Sequence, residues 1–154
     1  MYRILAINPG STSTKIALFD DEKMVFKENL THEADKLAQF KEISEQLPYR
    51  TEMVIEALNK NNIPLETIDA FSGRGGGLVS VAGGTYEIND ILLHHAQIGY
   101  TMKHASVLGA QIAYNLAKIN NKKAYVVNPV TVDEKQEISR VTGIKGIYNQ
   151  SIFH

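Results

Sequence analysis

Two short apolar runs joined by a polar turn, within residues 2–20, constrain the fold more than any other part of the sequence. The first run, Ile4–Ile7, ends at Asn8, and the second begins directly after Lys15. Short runs rich in branched residues, separated by a cluster of Pro, Gly, Ser and Thr, are typical of two strands joined by a tight turn. This stretch therefore predicts a β-hairpin.

The turn of this hairpin has the chemistry of an anion site. Gly10 lacks a Cβ, so the backbone there can approach a ligand closely. Turn N–H groups can surround phosphate oxygens together with the hydroxyls of Ser11, Thr12 and Ser13, and Lys15 adds a positive charge just beyond. The sequence is not a Walker loop, which needs the GxxxxGK[ST] spacing and a following helix. A polar turn without a ligand remains the alternative for this stretch alone.

The hydrophobic period changes after the hairpin and predicts a mixed α/β sheet. A third strand is expected at 24–30, and helices and strands then alternate. Helical patterns lie at 34–47, after Pro48, at 91–98 behind the N-cap Asn89 and at 104–119, with weaker helical character at 134–142; further strands are expected at 68–72 and 124–127, and a short extended piece at 85–88. The all-apolar run 124–127 predicts a strand at the sheet centre, covered on both faces. Three antiparallel strands followed by parallel strands with helical crossovers form the ribonuclease H-like fold of sugar kinases, actin and the Hsp70 ATPase.

Charge and composition exclude several classes of function. The chain has 16 basic and 17 acidic residues, which gives no electrostatic reason to expect nucleic acid or an anionic membrane as partner. No apolar run approaches the roughly 20 residues of a membrane span, and no secretory signal is visible. Without cysteine there is no disulfide or thiolate site. We therefore expect a cytoplasmic protein of one domain.

Four motifs in this sequence resemble those of the acetate and butyrate kinase family. Residues 8–15 (NPGSTSTK) resemble its phosphate-binding hairpin. Residues 73–76 (GRGG), followed by 83–89 (GGTYEIN), resemble its substrate-arginine loop in the butyrate kinase form. Residues 104–109 (HASVLG) and 151–154 (SIFH) resemble two further motifs, in the family's order. The resemblance covers essentially the whole chain.

The resemblance implies a reaction and a domain organisation. The reaction is transfer of the ATP γ-phosphoryl, with Mg²⁺, to a short-chain carboxylate such as butyrate, giving an acyl phosphate and ADP. Residues 1–154 would form the N-terminal ribonuclease H-like domain of a two-domain enzyme about twice as long, whose C-terminal domain is absent from this chain. The active site would lie between the two domains, so the fragment alone is expected to be inactive. A homo-oligomer is left open.

The resemblance also implies roles for single residues. Asn8 stands where sugar kinases, actin and Hsp70 carry an aspartate, and its amide would donate to the transferring phosphoryl. Arg74, in a glycine-flanked loop after a strand, would grip the carboxylate with two parallel N–H groups. His104 would donate a hydrogen bond to the carboxylate or the phosphoryl group. His154 would stabilise the oxygens of the phosphoryl group during its transfer. The nucleotide phosphates would bind Gly10, Ser11, Thr12, Ser13 and Lys15. The alternatives are a turn-forming Asn8, a surface-paired Arg74 and a helix-capping His104.

One position departs from the family pattern. The family usually carries an aspartate after the fifth strand that assists Mg²⁺, and here that place holds Asn128. An amide is a poorer partner for a hard cation than a carboxylate. Either Asp133 supplies the charge, or metal binding is weakened, or the register of the comparison is wrong. Among the other histidines, His32 lies in a polar stretch and is expected to be solvated.

Other functions fit parts of the sequence. An acetate or propionate kinase is the alternative within the family, and the choice of butyrate rests on the resemblance of residues 73–76 and 151–154 alone. Another enzyme of the same fold, such as a sugar kinase or an Hsp70-like ATPase, is less compatible with Asn8 and the Arg74 loop. A non-catalytic domain of this fold would have no chemical reason to hold Asn8, Lys15, Arg74 and His104 together.

Overall fold

The sheet of this protein is mixed. The computed structural model of the chain describes residues 1–149 and residue 151. Within these residues six strands pair in the spatial order β3-β2-β1-β4-β6-β5, with bounds β1 (Arg3–Pro9), β2 (Ser13–Asp20), β3 (Lys23–Thr31), β4 (Ala70–Gly73), β5 (Thr85–Glu87) and β6 (Lys123–Val127). β1, β2 and β3 form an antiparallel meander, whereas β4 and β6 run parallel to β1. The predicted meander with parallel additions is confirmed, and β5 proves to be an edge strand antiparallel to β6.

The helices pack against one face of this sheet. Their bounds are α1 (Ala34–Leu37), α2 (Leu47–Lys60), α3 (Asp90–Ile98) and α4 (Val107–Ile119). α4 lies on β1, β4 and β6, and α2 packs against α4 and β3. The apolar residues of α4 are almost all buried, because the helix is covered by the sheet on one side and by α2 and α3 on the others. No helix of the described residues is long and apolar enough to cross a membrane.

Side chains along β1 and β2 alternate between the core and the opposite face of the sheet. In β1, Leu5 and Ile7 are buried under the helices, and their partners in β2 are Leu18 and Ile16. The intervening residues point the other way, because successive side chains of a strand alternate between faces. On that second face, which we call the open face, side chains are half-buried or exposed.

The open face corrects the prediction for the last strand. β6 was expected at a sheet centre covered on both sides, but it lies next to the edge strand β5. Val126 is fully buried on the helical face, whereas Val127 is 47% exposed. An apolar run therefore does not prove burial on both faces.

Two predicted helices are shorter than the hydrophobic period indicates. The pattern from 34 to 47 gives only α1 and a 3₁₀ turn, Ile43–Gln46, and α2 begins at Leu47 with Pro48 in its first turn. No residue of α1 is buried, so packing does not stabilise a longer helix there. The weak pattern at 134–142 gives only a 3₁₀ turn, Glu137–Arg140.

Candidate anion-binding site

A groove of about 670 Å³ lies on the open face, at the carboxyl ends of β1 and β4. Asn8, Lys15 and Arg74 line it, together with Lys27 and Asn29 of the edge strand β3 and with small or apolar residues. Its acidic lining residue, Glu28, accepts a hydrogen bond from the Asn61 amide. Ligands of open α/β sheets bind outside the carboxyl ends of parallel strands, which is where this groove lies.

Asn8 and Lys15 reach the groove through the register of the first hairpin. They are directly opposite each other in the β1–β2 pair, with Ile7 and Ile16 buried beside them. Cβ atoms of such partners are about 4.5–5.5 Å apart. Both side chains are exposed, and neither bonds to another described residue. The amide and the ammonium are therefore free to bind a ligand from neighbouring positions.

Arg74 reaches the groove from the end of β4. Ile7 pairs with Gly73, so Arg74 is next to Asn8 in register, and the Arg74 N–H donates to the Ile7 carbonyl at 2.9 Å. A Cβ on Gly73 would collide with the Gly109 carbonyl, and one on Gly109 would collide with the Arg74 carbonyl. The guanidinium is exposed and has no acidic partner among the described residues. It can therefore pair with the carboxylate or phosphate of a ligand.

The hairpin turn presents unused backbone donors. Gly10 N–H donates to the Ser13 carbonyl at 2.7 Å, which closes the turn. The carbonyls of Gly10, Ser11 and Thr12 accept bonds from other parts of the chain. By contrast, the N–H groups of Ser11 and Thr12 have no acceptor among the described residues. Successive free N–H groups in a turn form an anion-binding concavity.

His104 links this turn to the start of α4. Its Nδ1 accepts the Ser106 N–H at 3.2 Å, so in the neutral ring Nε2 carries the proton. Nε2 lies 3.3 Å from the Ser11 hydroxyl and donates to it. The histidine therefore contacts the predicted phosphate-binding turn, and Ser106, not His104, is the residue before the helix.

Arg50 is a residue that the sequence analysis missed. Its side chain is fully buried between α2 and the hairpin turn. It donates to the carbonyls of Gly10 at 2.9 Å, Ser11 at 3.1 Å and Ser13 at 3.3 Å. Burial lowers the pKa of this guanidinium. The sequence did hold a signal of its burial, because Arg50 lies four residues before Val54 and therefore on the apolar face of α2.

His32 is buried, not solvated as predicted. It is only 3% exposed, and Met53 and Tyr49 of α2 cover its ring. Its Nδ1 lies 3.2 Å from the Met53 sulfur, which only accepts, so Nδ1 carries the proton and Nε2 accepts the Thr14 hydroxyl at 2.8 Å. Burial, together with the nearby Arg50 charge, lowers the pKa of His32 to about 4. The ring is therefore neutral at neutral pH.

The other predicted positions lie away from the groove. Asn128 adopts a left-handed backbone conformation (φ 41°), and its Oδ1 accepts the Gly84 N–H at 2.8 Å. Asp133 accepts hydrogen bonds from Arg140 at 2.8 Å and from the Lys135 N–H at 3.1 Å, which lower the pKa of its carboxyl. The described residues contain no group of three or more His, Asp or Glu arranged to hold a metal. His154 lies outside the described residues, and the metal role of Asp133 stays a prediction.

The chain is similar to a known enzyme along its whole length. No protein-family model matches the chain. Butyrate kinase 1 of Clostridium acetobutylicum is 44% identical over 154 residues, which is all of this chain but 43% of the relative.

Solved structures resemble the fold. Acetate kinase from Entamoeba histolytica covers 94% of the chain with 39% of its own length, at a TM-score of 0.61 and 16% identity. A propionate kinase from Francisella tularensis covers 95% with 42% of its length, at a TM-score of 0.56 and 17% identity. At such identities these likenesses speak for the fold alone, and they confirm the predicted ribonuclease H-like class. The chain spans less than half the length of these relatives.

Proposed function

We propose, from the homology of this chain to butyrate kinase 1 along its whole length, that it forms the phosphate- and carboxylate-binding domain of a short-chain carboxylate kinase. The reaction is butyrate + ATP ⇌ butyryl phosphate + ADP. A carboxylate oxygen bonds to the γ-phosphorus of ATP while the bond from that phosphorus to the β–γ bridging oxygen breaks. ADP leaves with the electron pair of that bond.

The observation that carries this proposal is the common groove of Asn8, Lys15 and Arg74. The reaction brings an anionic carboxylate to an anionic triphosphate, so the enzyme must supply positive charge and hydrogen-bond donors. Phosphoryl transfer depends on positioning and charge neutralisation more than on covalent help from the protein. An ammonium, a guanidinium and a neutral amide meet these requirements, and none of the three side chains has a partner among the described residues.

Each residue then has a task in the transfer. The turn amides of residues 11 and 12 and the Lys15 ammonium hold the nucleotide phosphates. The Arg74 guanidinium holds the carboxylate in line and cancels its charge. The Asn8 amide donates to the phosphoryl group without the repulsion that an aspartate there would cause. His104 donates to Ser11 in the ligand-free chain and to a phosphoryl or carboxylate oxygen once substrate is bound.

ATP and Mg²⁺ fit the donor set of this site in different ways. The groove offers cations and N–H donors, which suit the oxygens of a phosphate. With no cluster of three acidic or histidine side chains among the described residues, Mg²⁺ would be held mainly by nucleotide oxygens and water. When bound, the ion supplies neutralisation of the phosphate charge. Asp133 remains the protein residue proposed to assist it.

The domain organisation is part of the proposal. The chain corresponds to 43% of butyrate kinase 1. We propose that a second domain closes over the groove and receives the adenosine part of ATP. The carboxyl ends of β1 and β4 would then line one wall of the active-site cleft.

An activity assay on Arg74 variants tests this function in the two-domain enzyme. With ATP, Mg²⁺ and butyrate, and hydroxylamine as trap, the wild type is expected to give the acyl hydroxamate. Arg74→Ala should reduce the rate on the order of 10³-fold, because the carboxylate loses both alignment and charge compensation. Arg74→Lys should recover part of the rate, since it restores charge without the two parallel donors.

The matched control is Arg3→Ala, whose guanidinium bonds to Asp20 at the other end of β1. It should leave the rate within about twofold of the wild type, as surface substitutions away from a site usually do. Acetate, propionate and butyrate compared in the same assay separate the three carboxylate kinases, and glucose tests for a sugar kinase. Normal activity of Arg74→Ala would contradict the role assigned to Arg74.

A further inference from the structure

Arg50 is a buried cation whose partners are all neutral. Besides the three turn carbonyls, it donates to the Thr14 hydroxyl at 3.1 Å and to the Gln46 side-chain oxygen at 3.0 Å. No described acid forms an ion pair with it. A buried charge normally has an opposite charge as partner, because removing it from water is costly. Arg50 therefore leaves a positive charge beneath the hairpin turn that no described side chain neutralises.

The hydrogen bonds of Arg50 set the direction of the turn's peptide groups. Carbonyls of Gly10 and Ser11 point towards the guanidinium, at 2.9 and 3.1 Å. In a planar trans peptide the C=O and the N–H of the next residue point in opposite directions. The N–H groups of Ser11 and Thr12 belong to these same peptide units, so they point away from Arg50. These are the two amides without an acceptor among the described residues.

We propose that Arg50 is a positioning residue for phosphate: it holds the turn with the Ser11 and Thr12 amides facing outwards, and its unneutralised charge attracts an anion to them. This inference rests on the proposed function, in which the same turn binds the nucleotide phosphates. It adds a cation that does not touch the ligand to Lys15 and Arg74, which are proposed to bind it directly. The charge acts through one layer of peptide groups, whose dipoles it aligns with the anion.

Neutral His32 is consistent with this arrangement. Its ring accepts the Thr14 hydroxyl, and the oxygen of the same hydroxyl accepts from Arg50. The Thr14 hydroxyl thus uses its hydrogen for His32 and its oxygen lone pair for Arg50, so the two bonds are compatible. Arg50 remains free to use its other donors on the turn carbonyls.

The test is a titration of the ¹⁵N-labelled chain with inorganic triphosphate, followed by the NMR signals of the Ser11 and Thr12 amides. In the wild type both signals are expected to shift and saturate. Arg50→Lys keeps the charge but cannot reach several carbonyls at once, so affinity should fall about 10-fold. Arg50→Met loses both the charge and the hydrogen bonds to the carbonyls, so the affinity for triphosphate should fall about 100-fold. Arg3→Met, which removes a partly buried guanidinium at the other end of β1, should bind as the wild type does.

The salt dependence of the affinity for triphosphate shows whether the charge of Arg50 contributes to binding or whether Arg50 only supports the loop. Circular dichroism first confirms that each variant is folded at the temperature used. The loss of affinity with added KCl should be steeper for the wild type and Arg50→Lys than for Arg50→Met, because salt screens a charge that the last variant lacks. Equal slopes in all three would overturn the electrostatic part of the proposal.

The possible results distinguish this inference from the proposed function. If the wild-type amides do not respond to triphosphate, the turn is not a phosphate site, and both proposals fall. If they respond and folded Arg50→Met binds within twofold of the wild type, only the role of Arg50 is overturned. Should Arg50→Met not fold, Arg50→Lys decides, since unchanged affinity of that folded variant would contradict a positioning role.

Discussion

Three cationic side chains around the first hairpin lie in different surroundings. Lys15 and Arg74 are exposed on the groove, whereas Arg50 has no exposed surface. Water and salt screen the first two until a ligand or a second domain covers them. Arg50 is out of contact with water, and hydrogen bonds fix its position. A chain with this distribution can bind an anion through exposed charges and orient it through the turn that the buried charge holds.

At the same scale, His32 makes stability depend on pH. Its pKa is about 4 in the folded protein, against 6.5 for the unperturbed side chain. Between these values the unfolded chain binds more protons, so the free energy of unfolding should fall as pH is lowered from 6.5 to 4. The loss should total about 3 kcal/mol, and above pH 6.5 this histidine contributes no pH dependence. Urea unfolding at a series of pH values measures the effect.

The comparison variants for this prediction are His32→Gln and His94→Gln. The first removes the buried titrating group, so its stability should vary less with pH than that of the wild type. The second removes an exposed histidine and should retain the wild-type dependence. Parallel curves for the wild type and His32→Gln would show that another group causes the pH dependence.

Single residues differ in how far the sequence reveals their position. The motifs at residues 8–15 and 73–76 led to the prediction that Asn8, Lys15 and Arg74 act at one site. The three residues line one groove, and their roles stay predictions. The burial of His32 depends on Tyr49 and Met53 of a later helix, so no local pattern could reveal it. Arg50 had a local signal, because it interrupts the apolar face of α2, but its partners in the turn are 36 to 40 positions away.

At the scale of elements, the contact between the end of β4 and the start of α4 determines where Arg74 lies. Gly109→Ala would bring a methyl group against the Arg74 carbonyl, so helix and loop must separate. We expect a loss of about 1–3 kcal/mol in the free energy of unfolding, as for other overpacked sites. The activity of the two-domain enzyme should fall as well, because the arginine shifts.

Gly83→Ala is the matched control for this element. A Cβ there would meet its nearest neighbour at 3.6 Å, an ordinary contact, and the backbone needs no left-handed conformation. Its stability, measured by urea unfolding, should lie close to that of the wild type. Equal stability of Gly109→Ala would mean that helix and loop are not tightly held together.

Element prediction succeeded where local chemistry decides the structure. Asn89 was predicted to cap a helix, and its side-chain oxygen accepts the Leu92 N–H at 2.9 Å. The pattern at 34–47 failed because no residue of α1 is buried, so packing does not extend its single turn of α-helix. The prediction that β6 is covered on both faces at the sheet centre was wrong, because an apolar sequence does not tell which strands become neighbours.

At the scale of the whole molecule, the groove is one wall of the proposed cleft. A site with one wall buries little of a nucleotide and leaves its phosphates hydrated. We therefore expect the 154-residue chain to bind ATP with a Kd of ~1 mM or weaker, measured by calorimetry or by shifts of the turn amides. Low-micromolar binding by the chain alone would contradict the two-domain proposal.

The pairing of the first two strands has a consequence for how this chain can vary among organisms. Asn8 and Lys15 reach the ligand side only because Leu5, Ile7, Ile16 and Leu18 occupy the alternate positions. Inserting or deleting one residue within either strand would reverse the facing of side chains in that strand, so that its polar residue turns inward and its apolar residues meet water. Homologous genes should therefore tolerate many replacements in this region but few changes of length.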